Sequence, residues 1–143
     1  MAVYPGLSAL TVGVDDLRAS TRFYERLGWT RSRAASSAAS SLFRLNNGVL
    51  ALFDRRLLAE TAGLPPSPAR PLVLLTQHHP SRAAVDEASY VMARAGGRIL
   101  RVPGVGGPGV WRALVADRAG LVFDFMHDPE VELAADGSLV LPP

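Results

Sequence analysis

Apolar residues alternate with small or polar ones at the start of the chain. Leu10, Val12 and Val14 are separated by Thr11 and Gly13, and this period of two predicts a strand over Leu7 to Val14. The period then changes. Leu17, Ser20, Phe23, Tyr24 and Leu27 recur at spacings of three and four, which predicts a helix over Leu17 to Leu27. Asp15 or Asp16 can cap its first turn, and Gly28 can end it. Three further strands are expected over Trp29 to Arg33, Ser41 to Leu45 and Val49 to Phe53, with Ala34 to Ser40 as a polar loop. Asn46-Asn47-Gly48 is a hairpin signal, because these residues tolerate positive φ.

Arg55 to Ala62 reads as a short connecting helix, followed by a segment, Gly63 to Pro71, with four prolines in nine residues. The earlier order then returns. Leu72 to Thr76 reads as a strand. Ser81 caps a helix to about Ala95 with Val85, Ala88, Met92 and Ala95 on one face, and Gly96-Gly97 ends it. Arg98 to Val102 reads as a strand, Pro103 to Gly109 as a glycine-rich loop, and Val110 to Ala116 with Leu121 to Met126 as a hairpin. The pattern β-α-β-β-β therefore occurs twice. This predicts an α+β fold of two βαβββ modules, 7–54 and 72–127, joined by 55–71 and followed by a tail, 128–143, able to form a small hairpin. Each module has one apolar sheet face to bury, and two such modules are expected to enclose a cleft.

Composition narrows the chemistry. The 143 residues include no cysteine, which excludes disulfides, thiolate metal sites and a cysteine nucleophile. A cytoplasmic location is expected, since the N-terminus lacks the basic and apolar segments of a secretory signal. No stretch is long and apolar enough for a membrane span. The net charge is +2, and all 15 basic residues of the Lys/Arg class are arginine. The only basic cluster, Thr30-Arg31-Ser32-Arg33, is short, so no nucleic-acid partner is expected. No G-x-S-x-G elbow or phosphate-loop Lys-Ser/Thr is present.

Three segments carry a resemblance. The run Leu10-Thr11-Val12-Gly13-Val14-Asp15-Asp16-Leu17 through Ser20, Phe23-Tyr24 and Leu27-Gly28-Trp29 is similar to a V-x-D-L-x-x-S-x-x-F-Y-x-x-L-G opening. Ser81 to Asp86 with Ala95-Gly96-Gly97-Arg98-Ile99, and then Ala116-Asp117-Arg118-Ala119-Gly120-Leu121-Val122-Phe123-Asp124-Phe125, follow in matching order. Over residues 7–129 the chain resembles the glyoxalase / bleomycin-resistance / extradiol-dioxygenase superfamily, the vicinal oxygen chelate fold. Metal-dependent members hold a divalent ion with a His on the first strand, a Glu, Gln or Tyr on the fourth, a His on the fifth and a Glu on the eighth. Matched position by position, these fall on Ala9, on Leu50 or Leu52, on Leu74 and on Asp124. Three of the four cannot ligate, so neither a metal nor another cofactor is expected. His78, His79 and His127 fall outside the ligand positions.

The resemblance therefore implies metal-independent binding of a small, partly apolar organic molecule in the inter-module cleft, as in bleomycin-resistance proteins, and pairing into a homodimer. Alternation puts Val122, Asp124 and Met126 on one face of the last strand, the face the resemblance assigns to the cleft. A buried carboxylate needs a partner, and Arg44, Arg101 and Arg112 are the candidates. The expected ligand-binding residues are Asp124, Trp111, Arg44, Met126 and Phe53. Trp111 and Asp124 also have structural readings, as a packing residue and as half of a structural ion pair. Two alternatives stand beside this reading. One is a lyase, isomerase or oxygenase using a divalent metal or Asp124 as its catalytic group; the other is a structural or regulatory protein whose cleft is filled.

Overall fold

The computed structural model describes residues 9–62 and 74–140. The proline-rich segment 63–71, the strand starts expected at Leu7-Ser8 and Leu72-Val73, and the last residues of the tail, 141–143, lie outside the described residues. The chain divides into two compact units, Met1–Pro68 and Ala69–Pro143. Each contains one βαβββ module built on a four-stranded mixed sheet.

In the first unit, β1 (Ala9–Val14) is followed by α1 (Leu17–Arg26), β2 (Arg31–Ser37), β3 (Ser40–Leu45), β4 (Gly48–Asp54) and α2 (Arg55–Ala62). The sheet order is β1-β4-β3-β2, with β1 parallel to β4 and the other pairs antiparallel. Asp16 caps α1 by accepting from the Ala19 amide at 2.9 Å. Its neighbour Asp15 instead pairs with Arg55 of α2 at 3.0 Å. One face of the sheet carries Leu10, Val12, Leu50, Leu52, Phe43 and Ser41, which the register aligns. Helix α1 covers it: Tyr24 packs on Phe43 with ring centroids 5.5 Å apart, and Thr21 and Ser41 share a hydroxyl–hydroxyl bond of 2.7 Å. Phe23, Tyr24, Phe43, Leu50 and Leu52 are buried. They supply the apolar area that holds this helix to its sheet.

The second unit repeats the scheme with β5 (Leu74–His78), α3 (Arg82–Arg94), β6 (Arg98–Gly107), β7 (Val110–Ala116) and β8 (Val122–His127), in the sheet order β5-β8-β7-β6. A short hairpin, β9 (Glu132–Leu133) with β10 (Leu139–Val140), forms from the tail. Ser81 caps α3 by accepting from the Ala84 amide at 3.1 Å. The buried side chains of α3 are Val85, Ser89 and Met92, and those on the matching sheet face are Ala113, Val115, Phe123 and Phe125.

Three local expectations change. The Ala34 to Ser40 segment is largely strand rather than loop. Its serines close the ladder where the β2–β3 register shifts: the Ser36 hydroxyl donates to the Ser32 carbonyl at 2.6 Å and accepts from the Leu42 amide at 3.1 Å. The glycine-rich segment from Pro103 continues β6 as far as Gly107, with three register shifts. A strand on the sheet edge accommodates Pro and Gly because one side of its backbone needs no partner strand. The Asn46-Asn47 hairpin forms between Leu45 and Gly48, but no non-glycine residue takes a positive φ among the described residues.

The turn after α3 depends on a bare Cα. A Cβ added at Gly97 would lie 2.8 Å from the Met92 carbonyl oxygen and 2.9 Å from that of Ala116. Both are backbone atoms and cannot swing aside. Replacing Gly97 with Ala is expected to cost about 1–3 kcal/mol, the usual range for overpacking. Urea unfolding of G97A and of G137A, whose added Cβ meets nothing within 4 Å, measures this. Because Gly137 has φ +84, its substitution reports backbone strain alone. A loss in G97A no greater than in G137A would contradict the steric account.

Candidate functional site

The second unit places a carboxylate on the sheet face away from α3. Asp124 sits in the middle of β8, and the register sets it beside Thr76 of β5 and Leu114 of β7. Met126 and Val122 flank it on the same face, and the register adds Arg112 across from Met126. The Asp124 side chain is 4% exposed, so its charge must be met by the protein. The Thr76 hydroxyl donates to Oδ2 at 3.2 Å, and Arg112 Nη2 donates to the same oxygen at 3.4 Å. Arg112 Nε lies 2.9 Å from Oδ1, an ion pair bent away from hydrogen-bond geometry. It leaves both of these buried atoms without a hydrogen-bond partner among the described residues. Nη2 also reaches the Met126 thioether at 3.7 Å. The Arg112 side chain, 30% exposed, thus links a buried carboxylate to the surface.

The glycines of β6 make room for this arginine. Gly104 is the register partner of Arg112, and a Cβ added at Gly106 would stand 2.8 Å from the Arg112 Cβ. The segment read from sequence as a loop is therefore the strand against which the Arg112 stem is laid.

The expected site residues do not all share this face. Asp124, Arg112 and Met126 come together. Trp111 lies on the opposite face of the same sheet, toward α3: its indole N–H donates to Asp86 Oδ1 at 2.7 Å, and Arg82 lies 5.0 Å from its ring centroid. Arg44 and Phe53 belong to the first unit, on the sheet face away from α1. Of the three candidate partners for Asp124, Arg112 makes the pair; Arg101 donates to the Val105 carbonyl at 2.8 Å and Arg44 is exposed. Thr76 was not singled out, since a lone threonine on a short strand carries no signal until the β5–β8 register is known.

The positions matched to metal ligands also change in detail. Leu50 and Leu52 are buried beneath α1, so they face away from Ala9. The β4 residues on the Ala9 face are Val49, Ala51 and Phe53. On β5 the residue opposite Asp124 is Thr76, whereas Leu74 pairs with Val122. The corrected positions supply no imidazole and no second carboxylate. Among the described residues, no three His, Asp or Glu side chains gather as a metal site would require. The family's usual divalent ion does not fit this donor set.

His78 ends β5, His79 follows it, and His127 ends β8. The His79 ring meets Phe125 edge-on at 5.3 Å, and its carbonyl lies 2.9 Å from His127 Nδ1. Burial, reinforced by the neighbouring His78, holds the His79 pKa below its ordinary 6.5.

Residues 6–125 match the family model described as Glyoxalase/Bleomycin resistance protein/Dioxygenase superfamily, and the chain belongs to that superfamily. A glyoxalase-related enzyme from Fulvimarina pelagi superposes with a TM-score of 0.86 at 26% identity, over 98% of this chain and 100% of that one. A glyoxalase/bleomycin resistance protein/dioxygenase from Nocardioides gives 0.75 at 23% identity, over 91% and 87%. Lactoylglutathione lyase from Agrobacterium tumefaciens gives 0.66 at 17% identity, over 87% and 94%, a likeness of fold alone. No curated protein matches the sequence.

Two outcomes follow. Replacing Arg112 with Gln strands the Asp124 carboxylate and is expected to cost about 2 kcal/mol, below the roughly 3–5 kcal/mol of a fully buried pair because the Arg112 side chain is part-exposed. The double variant with Asp124→Asn should recover part of that loss. Denaturant unfolding of both singles and the double measures it, and simple additivity would rule out the coupling.

The second concerns pH. Above 6.5 His79 is neutral both folded and unfolded and has no effect. As pH falls through 6.5, the unfolded chain takes up the proton more readily than the folded one, so stability drops until the folded His79 also titrates. His79→Phe keeps a ring against Phe125 and should lose less stability than the native chain between pH 8 and pH 5.5. Parallel stability–pH curves would remove His79 from the account.

Proposed function

We propose that this protein binds a small, partly apolar organic molecule without a metal, in the cleft its family's fold provides, and that the Asp124–Arg112 pair is the polar anchor. The observation carrying this reading is a buried carboxylate whose Oδ1 and whose partner's Nε lack hydrogen-bond partners among the described residues. The Arg112 side chain is part-exposed, so it is the member of the pair that a ligand polar group would touch first. Met126, Val122 and Leu114 give the surroundings an apolar lining on the same face. Arg44 and Phe53, on the α1-distal face of the first sheet, are the first unit's candidate ligand contacts. Trp111 acts from the α3 side, by holding β7 to Asp86. Under this reading the protein is a cytoplasmic homodimer. Support for that comes from the cysteine-free chain, the family's habit of pairing, and the lack among the described residues of a helix long and apolar enough to cross a membrane.

A second reading, metal-assisted or Asp124-based enzymic chemistry, has the Fulvimarina pelagi relative in its favour, described as a glyoxalase-related enzyme. One experiment separates the two. The untagged protein is incubated with Ni, Zn, Mn or Fe(II), exhaustively exchanged and analysed for metal, then screened by thermal shift against planar aromatic and glycopeptide compounds. Binding is expected with no stoichiometric ion retained, and with affinity falling about 10-fold or more in Arg112→Gln, the usual cost of one charge-assisted hydrogen bond. A retained ion at one per chain, or ligand affinity unaltered in Arg112→Gln, would overturn the proposal.

A further inference from the structure

The first unit has a groove of its own, of about 540 Å³, between α1 and the edge of the sheet. Such a volume lies within the roughly 300–1,000 Å³ of small-molecule sites. Its lining is sharply charged. Arg18 and Arg22 stand four residues apart on α1, and Arg31 and Arg33 two apart on β2, so helix and strand periods each aim a pair of guanidinium groups at the same space. Glu25 is the only acid among the lining residues. The surplus of three positive charges exceeds the +2 of the whole chain, so the positive potential is concentrated here.

Little in the protein neutralises it. Arg31 Nε is 3.7 Å from Glu25, too far for a hydrogen bond, and is buried with no acceptor among the described residues. No ion pair involves Arg18, Arg22 or Arg33 among the described residues. The Asp16 carboxylate at the start of α1 accepts from the Ala19 amide as its N-cap and makes no ion pair with Arg18 among the described residues. The hydroxyls in the floor are already committed: Thr21 donates to the Leu17 carbonyl at 2.6 Å, which obliges Ser41 to donate to Thr21 at 2.7 Å. Recognition therefore falls to the guanidinium groups, whose planar forks suit phosphate and carboxylate oxygens.

We infer that this groove binds a small molecule bearing two or more anionic groups, phosphate or carboxylate, at a site separate from Asp124. The site lies on the α1 side of the first sheet and uses none of the residues of the carboxylate face in the second unit.

The test is isothermal titration of the full chain with pyrophosphate and, separately, with citrate, at low and high ionic strength. Saturable binding of one equivalent is expected, weakened by salt; the tighter of the two probes tells whether phosphate or carboxylate is preferred. Arg22→Gln with Arg33→Gln, both exposed positions, should weaken it about 10-fold or more while leaving the circular dichroism spectrum intact. Arg94→Gln, an exposed arginine of α3, should leave it unchanged, and so should Asp124→Asn, which keeps this result independent of the ligand proposal above. The inference is overturned if neither probe gives saturable heat, or if Arg94→Gln weakens binding as much as the pair. It is equally overturned if a double-stranded oligonucleotide binds the same arginines far more tightly than either probe, which would make the groove part of a nucleic-acid surface.

Discussion

In each βαβββ module the first strand pairs in parallel with the last, and everything else rests on that pairing. It brings Ala9 to Val49 in one sheet and Thr76 to Asp124 in the other. A parallel partner cannot be reached by a tight turn, so the helix and two antiparallel strands must fit between the paired strands. The pairing also sorts the side chains. Phe123 and Phe125 go to the α3 side with Ala113 and Val115, and Asp124 goes to the other side with Thr76 and Arg112. A slip of one residue would exchange these sets, burying a carboxylate beneath a helix. The hydrophobic face thus secures the position of the polar one.

The two sheets share a strand order but not a chemistry. In the first, the face away from α1 carries small and apolar residues on its two parallel strands: Ala9, Thr11 and Gly13 beside Val49, Ala51 and Phe53. In the second, the corresponding strands hold Asp124 and Thr76, with Arg112 added from β7. In the first unit, Arg18, Arg22, Arg31 and Arg33 gather instead on the other side, between α1 and β2. Repetition of a backbone plan has therefore left each half free to place its polar groups on a different face.

The order of elements was legible because each depends on local signals: Leu10, Val12 and Val14 at a period of two, Phe23 and Leu27 at a spacing of four, and caps at Asp16 and Ser81. The three segments quoted above were enough to indicate the superfamily. What could not be read was register. The match to the family falls on Leu50 or Leu52, one residue out of step with the Ala9 face, because a continuous apolar run carries no alternation to mark which face is which. The partner of Asp124 was undecided among three arginines for the same reason, since only the β7–β8 pairing selects Arg112. The glycines from Gly104 to Gly107 suggested a loop. Their role, room for the Arg112 stem, depends on a neighbour that is adjacent in space and not in sequence.

The parallel closure of each sheet also has a consequence for synthesis on the ribosome. A hairpin can form as soon as its second strand emerges, but β5 must wait for β8, with Thr76 and its partner Asp124 separated by 48 residues. The first module has its last strand once Asp54 has left the exit tunnel, and it can fold while the second is still being made. Until Phe125 arrives, the α3 face of the second sheet lacks two of its largest apolar side chains, and β5 has an open edge. An open strand edge beside an incomplete apolar face is what invites wrong pairing, so the second half passes through that state while it is being made.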